Sequence, residues 1–465
     1  MGQKKDFINN FKAAVLAQAV SFFLSAITAL IVPKLLGVES YGYWQLFLLY
    51  ASYIGILDFG LNEGIYLVLG GAERESLNKK ELSLQFQTLL FSNMLFACIL
   101  LGVSLAISDS SRAFIVLSVG VYCVVVNTTA FYYYLFQTIN ETRLFSYSVI
   151  LDKIVFLIPL TVLIALRCES FEPYVIAYLG AKFAPLAYCL YHGKGLVSLG
   201  NFKLRDAMHS CAPYMKVGVK LLLANMTGTL AIGVTRMVTD AAWGIETFGQ
   251  LSLAITMCNF FLQCVYQLSM VLFPALRRLD SSKQGDFYFA SRTLLNALLP
   301  AALICYYPVA ILVSFWLPSY SSAVSYFMLL IPVCIFDGRQ DLLGNTFLKV
   351  MRKETFLLLI NVSSVISALA FSLIGAYMIH NIYWVIALLI TVLFLRCFVT
   401  ELWFSYSGGY GFSWKAWSCL AVIVFFFLSN SLMPMWVSAI VSLAAYLTCI
   451  FLDRDDIKKA ISFLK

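Results

Sequence analysis

The chain has 465 residues, 61% of them apolar and 12% charged, with a formal net charge of +8 and a mean hydropathy of +0.85. Soluble domains hold roughly 45–50% apolar and 25% charged residues. The composition therefore leaves no room for a sizeable soluble domain and places the chain in a bilayer.

A hydrocarbon core about 30 Å thick takes about 20 apolar residues per helix. About fourteen such runs follow one another, near 11–32, 43–69, 85–107, 113–137, 146–166, 174–191, 214–238, 247–274, 293–317, 323–348, 355–378, 382–404, 415–430 and 434–452. The first follows Lys4 and Lys5 as the core of a signal peptide would, but it is about 22 residues long and lacks a small-x-small cleavage site, so it reads as a retained span. With the N-terminus inside, about 22 Lys and Arg fall in inner segments, against Lys34, Arg112, Arg167 and Arg236 outside. Basic residues stay on the cytoplasmic side, so both termini are expected there. The same bias accounts for the net charge without nucleic acid. The twelve Cys are scattered through the spans with no CxxC pair, which predicts free thiols rather than a disulfide framework.

The hexapeptide GVESYG at 37–42 returns as GIETFG at 244–249, about 207 residues on. Each copy follows an outward-going span, the first and the seventh. An even number of spans lies between them, so the second half re-enters the membrane in the same direction as the first. Parallel repeats of this kind occur in secondary transporters. The expected architecture is an all-α polytopic membrane protein with about 14 transmembrane helices: two parallel six-helix lobes around a central cavity, plus a C-terminal hairpin. The N-lobe is assigned to 1–191, a cytoplasmic linker to 192–213, the C-lobe to 214–404, and the hairpin and tail to 405–465.

An ionisable side chain at mid-membrane costs at least about 2.5–3.5 kcal/mol and usually faces a protein interior or a water-filled cavity. Asp58 lies about fifteen residues into the second span, near mid-membrane at 1.5 Å per residue, and Glu63 follows in DFGLNEG, where Gly60 and Gly64 are expected to loosen the helix. Lys182 is about eight residues from either end of the sixth span; its stem covers only about half of the roughly 12 Å to either surface, so a cavity or a carboxylate should meet it. Lys216 and Lys220, four apart, share one face of the seventh span. Asp337, Arg339 and Asp341 occupy the tenth, and Arg396 the inner half of the twelfth. The functional reading is a polar cavity between the lobes that binds an anionic substrate through Lys182, Lys216, Lys220, Arg339 and Arg396, with Asp58, Glu63 or Asp337 as a proton or Na⁺ site. The competing reading is that Lys216 and Arg396 snorkel and that Asp–Arg pairs bind helices together. Tyr132, Tyr133 and Tyr134 are expected in the interfacial aromatic belt, or alternatively as a stacking platform for sugar rings.

Catalytic motifs are missing. The three His, at 192, 209 and 380, form no spaced ligand set, and there is no Walker A loop. No outer segment is long enough to house an enzyme site. Neither a metal nor an organic cofactor is expected.

The opening AQAVSFFLSAITALIVPKLLGVESYGYWQLFLLYASYIGILDFGLNEGIYL resembles the first two spans of bacterial polysaccharide-biosynthesis flippases of the Wzx type. There, an LG-x-x-x-YG outer turn precedes a DFGL second span. The resemblance extends to the span layout of the whole chain, although fourteen spans depart from the twelve common in O-antigen flippases. It implies membership of the multidrug/oligosaccharidyl-lipid/polysaccharide exporter superfamily, shared with multidrug exporters of the MATE kind and with lipid II flippases. It further implies ion-coupled alternating access that moves an undecaprenyl-pyrophosphate-linked oligosaccharide to the outer face of the bacterial inner membrane. A polysaccharide polymerase and a chain-length regulator would be neighbours. A small-molecule antiporter, a lipid II-type flippase and a membrane enzyme of glycan assembly are the alternatives.

Overall fold

A computed structural model describes residues 2–198, 200, 203–277, 284–407, 411 and 413–464. The helices are α1 (Gly2–Tyr53), α2 (Leu61–Leu69), α3 (Lys79–Ala106), α4 (Ser110–Thr138), α5 (Thr142–Ala165), α6 (Glu172–His192), α7 (Leu204–Arg277), α8 (Gln284–Leu298), α9 (Ala301–Trp316), α10 (Ser321–Leu330), α11 (Val333–Arg339), α12 (Thr346–Val350), α13 (Glu354–Leu373), α14 (Ile382–Tyr406), α15 (Cys419–Leu432), α16 (Met435–Leu452) and α17 (Arg454–Leu464). Each of the fourteen apolar runs falls on helix, and no strand occurs among the described residues. Helix suits this solvent because it satisfies its own backbone groups where water is absent. The protein is a multi-pass, all-α membrane protein.

Among the described residues, nine helices are long and apolar enough to cross a membrane, or ten if the pair 318–330 and 333–350, bent by 47°, is one span. Two of the nine, of 41 and 59 residues, exceed the roughly 20 residues of one crossing. Each contains one copy of the repeated hexapeptide. In both, the first glycine leaves the helix in the same way: Gly37 at φ 70°, ψ 177° and Gly244 at φ 82°, ψ −178°. That combination is open essentially only to glycine. The four residues after each glycine lead to a buried ring: Tyr41, whose hydroxyl accepts from Gln45 Nε2 at 2.7 Å, and Phe248, over which the Arg236 guanidinium lies at 5.0 Å. The sequence repeat is thus a repeat of backbone geometry.

The chain divides into two compact units, 1–226 and 227–465, and the division falls within α7. Within the stretch 192–213, α6 runs to His192 and α7 begins at Leu204, so its second half is already helix. In the first unit, Leu61, Ile65, Phe86, Phe131, Tyr132 and Leu135 are among the residues of one buried cluster. Asn78, Asp109 and Asn381 cap α3, α4 and α14 by accepting backbone N–H groups of the first turn. The cysteines described are free thiols. In the second unit, α15 and α16 are tied to α9 by a polar contact inside an otherwise apolar interface: Tyr307 and Ser442 hydroxyls lie 2.8 Å apart, and Asn430 Nδ2 donates to the Tyr307 oxygen at 2.9 Å.

A Cβ at Gly37 or Gly244 would meet nothing within 4 Å, so substitution there is opposed by backbone conformation alone. Gly37→Ala and Gly244→Ala should each destabilise the purified protein by about 1–3 kcal/mol. Gly102→Ala, in the body of α3 with equally open surroundings, should be neutral or stabilising by up to about 1 kcal/mol. Equilibrium unfolding in mixed micelles measures all three.

Candidate functional site

In the first unit the second span is broken rather than loosened. It leaves α-helix at a 3₁₀ turn, Ile54–Asp58, passes through Phe59 (φ 52°) and Gly60 (φ 80°) in the left-handed region, and restarts as α2. A break at this depth frees backbone groups that no water can satisfy, so neighbouring side chains must do so. Asn127 of α4 donates to the Ile54 carbonyl at 3.1 Å and to Asn93 Oδ1 of α3 at 2.8 Å. Asp58 accepts from the Gly60 N–H and from Asn62 Nδ2, both at 2.8 Å. Glu63 accepts from the Tyr134 hydroxyl at 2.8 Å. Asp58, Asn62 and Glu63 are all buried.

Gly60 and Gly64 have a role that differs from the expected one. A Cβ on Gly60 would collide with the backbone of Gly218 and Val219, one on Gly64 with that of Tyr214, and one on Gly218 with Gly60 and Gly64. These glycines let α2 and the start of α7 meet backbone to backbone, the small-xxx-small mode of membrane helix packing. The Tyr132–Tyr134 triplet also departs from its expected place in the aromatic belt. Tyr132 is 2% exposed within the hydrophobic core, Tyr133 accepts from Ser148, and Tyr134 reaches Glu63. Each hydroxyl or ring is drawn inward by a specific neighbour that the run of three tyrosines does not disclose.

Lys182 of α6 meets a carboxylate. Its ammonium donates to both oxygens of Asp152 on α5, at 2.9 and 2.8 Å, and lies 4.2 Å from the Tyr178 ring centre. Tyr122 stacks on Tyr178 at 6.0 Å, and Trp44, Phe47 and Phe156 meet it edge-on. The charge is therefore neutralised inside an aromatic enclosure. Lys216 and Lys220 are exposed on α7, and no ion pair joins either to a carboxylate among the described residues.

In the second unit the tenth span is bent at Pro332 and contains a π-helical turn at Gln340–Asn345. Gly338 and Arg339 precede that turn, and their neighbours are two ion pairs. Arg339 Nε donates to Glu401 Oε1 at 2.5 Å, and its guanidinium lies 4.5 Å from the Trp417 ring centre. Arg396 pairs with Asp337 and donates to the Gly228 carbonyl at 3.2 Å. Arg339 is 1% exposed. Asp341 accepts from Asn345 Nδ2 at 3.1 Å. Sequence reasoning brought out Asp337, Arg339 and Arg396 but neither Glu401 nor Trp417. Glu401 sits near the end of a span, where a carboxylate looks solvated. Among the described residues no group of three or more His, Cys, Asp or Glu is arranged to hold a metal ion.

Removing one member of a buried ion pair leaves an uncompensated charge, at a cost of about 3–5 kcal/mol, whereas replacing both is often close to neutral. Arg396→Leu should show that loss, and Arg396→Leu with Asp337→Leu should recover most of it in the same unfolding assay. Gly64→Ala must displace α7 and should cost about 1–3 kcal/mol by overpacking, read as a lowered midpoint.

No protein-family model matches the chain, and no curated protein matches it. Solved structures do match its fold. The lipid II flippase MurJ in an inward closed conformation superposes with a TM-score of 0.65 over 96% of this chain and 99% of its own, at 11% identity. An inward-facing multidrug resistance MATE family transporter of the MOP superfamily gives 0.63 over 84% of this chain and 97% of its own, at 12% identity. A MATE protein in the straight conformation gives 0.60 over 86% and 95%, at 12% identity. The chain has the fold of these transporters.

Proposed function

We propose that the chain is a flippase that moves an undecaprenyl-pyrophosphate-linked oligosaccharide, an O-antigen or related surface-polysaccharide unit, from the cytoplasmic to the outer face of the bacterial inner membrane by ion-coupled alternating access. The observation that carries this reading is the extent of the fold match. The lipid II flippase aligns over 96% of the chain, whereas the MATE transporters align over 84–86%. A lipid-linked glycan is thus the favoured class of substrate over a small drug. The opening DFGL-containing spans favour an oligosaccharide unit over lipid II, which is the second reading.

The available charges agree with a pyrophosphate-bearing substrate. Arg339, Arg396 and Lys182 each hold a carboxylate, so an anion must compete for them. Lys216 and Lys220 lie exposed on one face of α7 and offer two ammonium groups with no carboxylate to displace. In this proposal they make the first contact with the pyrophosphate, and Lys182, Arg339 and Arg396 line the path beyond. In this reading the step uses a proton or Na⁺ as coupling ion and no organic cofactor. Transport needs no covalent chemistry, so the protein is read as a transporter rather than an enzyme.

Deleting the chain should leave complete lipid-linked units on the inner face, protected from an impermeant probe in spheroplasts. Normal outward display would refute the flippase reading. A charge-assisted hydrogen bond contributes about 1.5–3 kcal/mol, so Lys216→Ala with Lys220→Ala should cut export about tenfold or more at unchanged protein level. Lys182→Ala with Asp152→Ala removes both members of a buried pair. If Lys182 touches substrate, export stays low although the fold is kept; recovery to wild-type export assigns the pair to structure.

A further inference from the structure

Among the buried cations of the described residues, Arg292 donates to the Gly411 carbonyl and lies over the Tyr288 and Phe289 rings; the other three have carboxylate partners. Lys182, Arg339 and Arg396 are each matched by Asp152, Glu401 and Asp337. Asp58 and Glu63 are buried to a similar degree, at 7% and 5% exposure, yet neither forms an ion pair. The groups that hydrogen-bond to them are neutral, and the lysines of the α7 stretch that packs on α2, Lys216 and Lys220, are exposed and join no ion pair among the described residues. The Gly60 N–H and Asn62 donate to Asp58 and the Tyr134 hydroxyl of α4 donates to Glu63, while Gly218 and Tyr214 of α7 pack against the flanking Gly60 and Gly64. Two acceptor oxygens in this cluster are buried without any partner, Asn62 Oδ1 and Glu63 Oε2, and Asn62 is only 1% exposed.

Burying an isolated carboxylate is prohibitive unless a positive charge accompanies it. The cluster has surplus acceptors and no cation, which is what a site for a small positive ion requires. We propose that the broken second span binds one monovalent cation, a proton or Na⁺, at Asp58 and Glu63, with Asn62 Oδ1 as a further oxygen, and that Asp337 is not the coupling site. The inference rests on the reading that transport is ion-coupled and assigns that coupling to particular residues. Asp337 is excluded because Arg396 already supplies its positive charge. Placement at a break is consistent with function: the 3₁₀ turn and the left-handed pair Phe59–Gly60 turn the Asp58 carboxylate back onto the start of α2 instead of along a continuous helix. The direct backbone contact of Gly60 and Gly64 with α7 lies beside both carboxylates. Separation of α2 from α7 would admit water to the site, and the ion could then exchange.

The test uses the purified full-length chain with no glycan present, so its outcome is independent of the export assay. Saturable binding of radiolabelled Na⁺ and the infrared band of water-excluded, protonated carboxyl groups are recorded for the wild type, Asp58→Asn, Glu63→Gln and the double variant. The charge-retaining Asp58→Glu and Glu63→Asp serve as controls for folding. Saturable Na⁺ binding that disappears only in the neutral variants supports the site and identifies Na⁺. A carboxyl band that disappears in them, with no Na⁺ binding, supports the site and identifies a proton. A wild type with neither signal, or signals that survive in the double variant, would overturn the proposal whatever the export assay shows.

Discussion

A bilayer interior offers no water to a polar group, and each departure from regular helix or from apolar composition in this protein is governed by that constraint. Where the second span breaks, Asn127 and Asn93 take up the freed backbone carbonyl. Three buried cations, Lys182, Arg339 and Arg396, are each met by a carboxylate from another helix, and a fourth, Arg292, by a backbone carbonyl and two aromatic rings. Polar side chains here fix which helices pack together, because an alternative arrangement would strand a charge or an amide in hydrocarbon. Specificity of assembly follows from the cost of error more than from the strength of any one contact.

That logic separates the two ionic regimes of the protein. In the second unit, Arg339 and Arg396 are matched one to one by Glu401 and Asp337 around the bent tenth span. Asp58 and Glu63 form no ion pair among the described residues, and in the proposal above a coupling ion completes the balance. The difference is one of stoichiometry and not of burial. Depth in the membrane alone did not reveal which buried acidic residues have a cationic partner.

Much of the architecture was legible in the sequence because it follows from composition: fourteen apolar runs fall on helix, and the repeated hexapeptide marks two equivalent kinks. The demand of Lys182 for a partner was legible from its distance to either surface. The identity of that partner was not, since Asp152 lies thirty residues away and only the packing of α5 on α6 joins them. The same applies to Glu401 beneath Arg339, to Tyr134 on Glu63, and to the glycines of DFGLNEG. Flexibility and close approach call for the same residue, and only the neighbouring helix shows which one applies. At 54–60 the glycines signalled a loosened helix, but the full break into a 3₁₀ turn and a left-handed pair was not legible.

The last two spans were expected as an appendage. Trp417, in the short turn that leads into α15, covers the guanidinium of Arg339, and α15 and α16 hold the Tyr307 hydroxyl of α9. The C-terminal sixty residues therefore belong to the core they adjoin. Removing those residues would leave the Arg339 guanidinium its pairing with Glu401 but strip away the ring that covers it.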